Sequence, residues 1–89
     1  MVVFSQAIPA STPTRILPRN PQRAVYTILN FSGYDFYLSD NQDVLDSGPN
    51  MGIKVVNGSA YEDEYSKAEV WIYGTTAGTV TVQEVVKEG

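Results

Sequence analysis

With 89 residues the chain has room for one small domain, which buries roughly two-thirds of the surface its unfolded form exposes. It contains no cysteine, which excludes disulfides and thiolate metal sites, and no histidine, which removes the commonest metal ligand and general base. Lys and Arg number 6 against 10 Asp and Glu, for a net charge of −4, and apart from a loose group at Arg15, Arg19 and Arg23 the basic residues are scattered, so nucleic acid is not an expected partner.

Residues 1–22 hold Pro9, Pro13, Pro18 and Pro21 among Ser11, Thr12 and Thr14, a pattern that sustains neither a helix nor a central strand. Val2, Val3 and Phe4 suit a short edge strand. The remainder reads as an extended arm or as a disordered tail, a state termini commonly take. Ile16 and Leu17 favour an arm that docks, because a free arm gains nothing from two aliphatics. The apolar start lacks the positive region and the length of a secretory leader, and no apolar run approaches a membrane span. The expectation is a complete product of the cytoplasm with no membrane partner.

In residues 23–31, Tyr26, Ile28 and Asn30 share one face of a strand while Val25, Thr27, Leu29 and Phe31 share the other. Both faces are largely apolar, which a half-exposed strand does not show. One face therefore meets the core and the other a partner chain or the N-terminal arm, in either assignment. Ser32 and Gly33 turn the chain, and residues 34–39 alternate Tyr34, Phe36 and Leu38 against Asp35, Tyr37 and Ser39. Residues 23–40 thus read as a central hairpin.

Residues 39–52 are rich in turn formers, with Val44 and Leu45 suited to a brief pairing. A short strand over 53–56 leads to Asn57-Gly58, the strongest two-residue hairpin turn in the chain, and then to a polar, acidic strand over 59–65. Residues 68–73 and 79–86 read as a last hairpin across 74–78. No stretch carries a useful helical stripe. This density of short strands and turns predicts an all-β, mainly antiparallel sandwich or jelly-roll-like barrel of about seven strands. The expected division is an extended proline-rich arm over 1–22 and a single β domain over 23–89.

Asp40, Asp43 and Asp46 are spaced by three, not at the alternate positions of a calcium loop, and with Glu62, Asp63 and Glu64 they read as solvated charges. A glycosidase-like carboxylate pair needs a cleft, which a domain this small is not expected to form. There is no Gly-x-Ser-x-Gly elbow and no phosphate loop, so no catalytic residue, cofactor or metal site is expected. Trp71 and Tyr73, with Tyr37, Tyr34 and Tyr65, offer a platform for sugar rings, though strand aromatics also serve as core or interface. Asn30-Phe31-Ser32 and Asn57-Gly58-Ser59 fit the glycosylation acceptor pattern but read as turns.

Leu17-Pro18-Arg19-Asn20-Pro21-Gln22-Arg23 leads into Tyr26-Thr27-Ile28-Leu29-Asn30, followed by Ser32-Gly33, Asp35-Phe36-Tyr37-Leu38, Val70-Trp71-Ile72-Tyr73 and Gly78-Thr79-Val80-Thr81-Val82-Gln83-Glu84. In this order the chain resembles small virion structural proteins of tailed bacteriophages and related prokaryotic viruses, most specifically in Asn20, Pro21, Arg23 and Asn30. Residues 39–52 have no counterpart in that pattern. The resemblance implies a non-enzymatic capsid decoration (cement) protein or a head-fibre domain, made in the host cytoplasm and residing in the virion. It implies a homo-oligomer, often a trimer, bound to a lattice of major capsid protein. The two-faced strand and the aliphatics of the arm then make Ile16, Leu17, Val25, Leu29 and Phe31 the expected interface residues. The alternative is a carbohydrate-binding or host-recognition domain of a fibre or spike, with Trp71, Tyr73 and Tyr37 as its ligand platform.

Overall fold

The prolines of the first 22 residues bracket strands instead of interrupting them. Strand β1 (Val2–Ile8) stops before Pro9, β2 (Thr14–Leu17) lies between Pro13 and Pro18, and Pro21 sits in the turn before β3 (Arg23–Asn30). They are followed by β4 (Phe36–Ser39), β5 (Ile53–Val55), β6 (Ser59–Asp63), β7 (Val70–Tyr73) and β8 (Gly78–Val86). The structure is a computed structural model that describes residues 2–40, 45, 52–64 and 66–87.

The strands form two four-stranded antiparallel sheets, β1-β8-β3-β6 (sheet A) and β2-β7-β4-β5 (sheet B). The pairings are nested: β1 with β8, β2 with β7, β3 with β6, β4 with β5. One long hairpin, with its tip at the β4–β5 connection, is thus wrapped into two layers. This is the strand order of a jelly roll, and the all-β sandwich or jelly-roll expectation holds, with eight strands among the described residues instead of seven.

Two strands sit at the sheet edges because the N-terminal segment supplies them. The segment is extended as expected, but β1 borders sheet A and β2 borders sheet B, where flanking prolines are tolerated. Ile8, Ile16 and Leu17 are core residues. The expected boundary at residue 22 therefore does not separate an arm from a domain.

The core is filled from both sheets by Ile8, Tyr26, Ile28, Phe36, Leu38, Val55, Val70, Ile72, Val80 and Val82 together with Ile16 and Leu17. On β3 the inward face is Tyr26, Ile28 and Asn30, which settles the two-faced strand: Val25, Thr27 and Leu29 point outward.

All three expected hairpins are arches between the sheets, each for a physical reason. Asn30 ends β3 fully buried, and its Nδ2 donates to the carbonyls of Tyr34 and Val55 at 2.8 and 2.9 Å while its Oδ1 accepts from Ser32 Oγ and N at 2.7 and 3.2 Å. That pins the connection 31–35 across the layers, and Phe36 enters the core from sheet B. At Asn57-Gly58 the turn itself forms, with Ser59 N donating to Val56 O at 3.2 Å, but among these residues Gly58 alone has positive φ, at 85°. A type I′ hairpin needs positive φ at both central residues; a turn with it at the second alone splays the strands, and β5 and β6 go to different sheets. Between β7 and β8, a Cβ on Gly74 would collide with Cδ1 and Cε1 of the Phe36 ring, so glycine lets the connection close over the core.

Candidate functional site

Arg23 has the largest fully buried side chain among the described residues. Asn20 builds its approach: Asn20 Oδ1 accepts from Gln22 N at 3.0 Å, Asn20 O accepts from Arg23 N at 3.1 Å, and Pro21 supplies the fixed φ of the turn. The guanidinium donates from Nε to Glu84 Oε2 at 2.7 Å, from Nη1 to Ala68 O at 2.8 Å and from Nη2 to Pro18 O at 2.6 Å. It also lies 5.6 Å from the centre of the Tyr26 ring, and Lys67 Nζ donates to Arg23 O at 3.0 Å. The Asn20, Pro21, Arg23 and Asn30 pattern is thus internal bracing: Arg23 locks β3 to β8 and to the chain before β7, while Asn30 locks the opposite end of β3.

The outward faces differ. On sheet A the outward side chains are Val3, Ser5 and Ala7 of β1, Thr79, Thr81, Gln83 and Val85 of β8, Val25, Thr27 and Leu29 of β3, and Ala60 and Glu62 of β6. Glu62 is the one formal charge among these. At the Asn30 end, Phe31, Tyr34 and Val56 are 72, 48 and 45% exposed. Their two connections are stitched together by Asn57 Oδ1 accepting from Gly33 N and Asp35 Oδ1 accepting from Asn57 N, both at 2.8 Å.

On sheet B the register sets Tyr73 opposite Tyr37, and Tyr37 opposite Lys54; one step along, Arg15 faces Trp71 and Trp71 faces Ser39. Trp71, Tyr73 and Tyr37 all lie on the outward side, each half-buried. Ion pairs flank them: Arg15 Nη1 to Glu69 Oε2 at 3.8 Å and Lys54 Nζ to Asp35 Oδ2 at 3.6 Å. Trp71 Nε1 is buried and has no acceptor among the described residues. The aromatics expected to form a ligand platform therefore share one sheet face, without Tyr34, which sits at the Phe31 tip. Tyr65, Asp43, Asp46 and Val44 lie outside the described residues; Leu45 is fully buried.

Of the expected interface residues, Val25 and Leu29 face outward on sheet A and Phe31 is exposed beyond it. Ile16 and Leu17 are corrected: at 5 and 2% exposure they serve this chain's own core, because β2 pairs with β7.

The sequence also missed a cleft. A space of about 510 Å³ opens between the sheets, lined by Tyr26, Ser39, Asp40, Asp63 and Ser66 among others. A domain of this size does form one. Burial, then the charge of Asp63, pushes the Tyr26 phenol far above its ordinary value, and the Tyr61 phenol is raised by burial and by Asp63. Nothing local announced the cleft, since Tyr26 meets Asp63 only through the β3–β6 register.

Compared with family models, curated proteins and solved structures, the chain matches none.

Proposed function

We propose that this protein is a non-enzymatic virion structural component, a capsid decoration protein that acts by burying surface. In this reading copies join through the outward face of sheet A, as a trimer by the resemblance to small phage virion proteins, and the exposed tip of Phe31, Tyr34 and Val56 seats on the lattice of major capsid protein.

The observation that carries the reading is the near absence of charge on a whole sheet face. A solvated strand face is normally punctuated by charges, and an unpunctuated one invites pairing with another surface. Strands of 7, 9, 8 and 5 residues, about 4.8 Å apart and rising about 3.3 Å per residue, give a face of about 460 Å². Such a face has the size of a small interface, below the ~800 Å² per partner of the standard class. The jelly roll itself is an architecture used by capsid proteins, which supports the reading by analogy of fold alone.

Light scattering behind a sizing column, at several concentrations, tests it. A concentration-independent trimer that Leu29→Lys dissociates is expected. Co-sedimentation with shells lacking the protein should then be retained by the intact chain and lost on Phe31→Asp. A monomer at every concentration would remove self-association from the proposal.

A further inference from the structure

We infer that Trp71, Tyr73 and Tyr37 form a binding platform for the pyranose rings of a neutral oligosaccharide. The inference stands apart from the shell reading, since it concerns the opposite sheet.

Its basis is a juxtaposition made by register. Tyr73 and Tyr37 are directly paired across β7 and β4, with Cβ atoms about 5 Å apart in such a pair. Trp71 lies two residues along β7 from Tyr73, about 7 Å away at ordinary strand rise. Three rings at this spacing make an outward aromatic row long enough for two sugar rings. Aromatic faces carry negative charge density, and the C–H bonds on the flat side of a pyranose present the complementary partial positive charge. A ring stacked there directs its hydroxyls sideways, toward the two ion pairs.

Those pairs determine which sugar. Arg15–Glu69 and Lys54–Asp35 each combine one cation with one anion, so the rim is rich in donors and acceptors yet neutral. A polyanionic glycan would meet two carboxylates as well as two cations, in a chain already at −4. A neutral one meets only hydrogen-bonding groups. Stability does not account for these pairs, since all four side chains are 40% exposed or more and such pairs contribute little. Trp71 Nε1 adds a second observation: its N–H is a donor without an acceptor among the described residues, and a stacked hydroxyl supplies one once the indole shifts.

The chain has a single tryptophan, so its emission reports on the platform. The intact protein is titrated with gluco-, galacto-, manno- and N-acetylglucosamine-based oligosaccharides, and with a uronic acid oligomer, to about 10 mM, which fills even a millimolar site. A saturable emission change with at least one neutral oligosaccharide is expected, weakened roughly tenfold or more by Tyr37→Ala, the loss of one stacking partner. Should Tyr37→Ala lose its thermal transition, Tyr73→Thr, which keeps strand propensity, gives the same reading. Silence from every neutral oligosaccharide overturns the inference, as does binding confined to the acidic oligomer. It also fails if Trp71 emission shifts with protein concentration alone, which would make the face a contact between copies.

Discussion

The two outward faces of this sandwich rest on one core and differ in almost every other respect. Among the described residues sheet A presents valine, threonine, serine, alanine, leucine and glutamine with Glu62 as its single charge, while sheet B presents three aromatic rings between two ion pairs. Inward, the two sheets are alike: Tyr26 and Ile28 of β3, Phe36 and Leu38 of β4, Val70 and Ile72 of β7 and Val80 and Val82 of β8 are all buried, and the polar exceptions, Asn30 and Glu84, belong to the two braces. Folding constrains the inward positions through packing. It leaves the outward ones free, within strand propensity, to serve contact. The contrast is therefore informative about function, since core packing would be equally well served by two similar exteriors.

The comparison fails if the core beneath it fails, and the largest effect is expected there. Arg23→Ala leaves Glu84 without its partner and the carbonyls of Pro18, Ala68 and, at 3.4 Å, Ser66 without this donor, and breaking a buried pair in this way costs about 3–5 kcal/mol. A chain of this length holds only about 5–10 kcal/mol, so chemical denaturation should find the midpoint of the variant cut by roughly half. The double replacement Arg23→Met with Glu84→Leu should recover much of the loss, because it removes the stranded carboxylate too. A single variant as stable as the parent would show that the clamp is dispensable. Next in size is Asn30→Ala, which removes the donor to Tyr34 O and Val55 O; Tyr34 O keeps Ser32 Oγ at 3.1 Å, so the loss falls on Val55 O and should cost about 1–3 kcal/mol.

Both braces show where sequence reading ends. Alternation located most of the strands, because period two is a local property, and the same period places Trp71 and Tyr73 on one side of β7. It could not join strands into sheets. Asn30 finds Val55 25 residues on, and Gly74 closes against the ring of Phe36, so the choice between hairpin and arch is made by contacts far apart in the chain. Arg23 was read as part of a loose basic group, since arginine is ordinarily a surface residue; only the carbonyls that Pro18 and Ala68 bring to it make its burial possible. Tyr37 was joined to the platform as an aromatic of suitable type, but its place beside Tyr73 depends on the β4–β7 register.

A third effect, of intermediate size, separates the core from both faces by pH. The Tyr26 phenol is raised above its ordinary 10.0 mainly by burial. The folded state therefore keeps a proton that the unfolded state releases as pH rises past 10.0. The contribution is fully present below that value and is lost above it, by up to about 1.4 kcal/mol per pH unit. Tyr26→Phe should flatten the alkaline limb of a stability–pH profile measured by denaturant titration. Tyr37→Phe, on the outer face, serves as the control. Equal slopes in the parent and Tyr26→Phe would show that another group carries the alkaline loss.

The smallest stability effects should come with the clearest division of function. Leu29→Lys on sheet A and Tyr37→Ala on sheet B replace outward, half-buried side chains, and neither touches the buried braces. Surface replacements of this kind fall within about 0.5 kcal/mol in most cases, and up to about 1 kcal/mol where strand propensity drops, as for alanine in place of tyrosine. In a domain of this size that is a shift in Tm of a few degrees, at about 4–8 °C per kcal/mol. Against that nearly flat background, Leu29→Lys should reduce solution mass and leave the Trp71 response to oligosaccharide unchanged. Tyr37→Ala should weaken the Trp71 response and leave mass unchanged. If both variants changed both readouts, the two faces would be coupled and would have to be treated as one surface. If Tyr37→Ala reduced the mass and Leu29→Lys moved neither readout, the assignment of faces would be reversed: the aromatic sheet would join copies, and the nearly uncharged sheet would lie free.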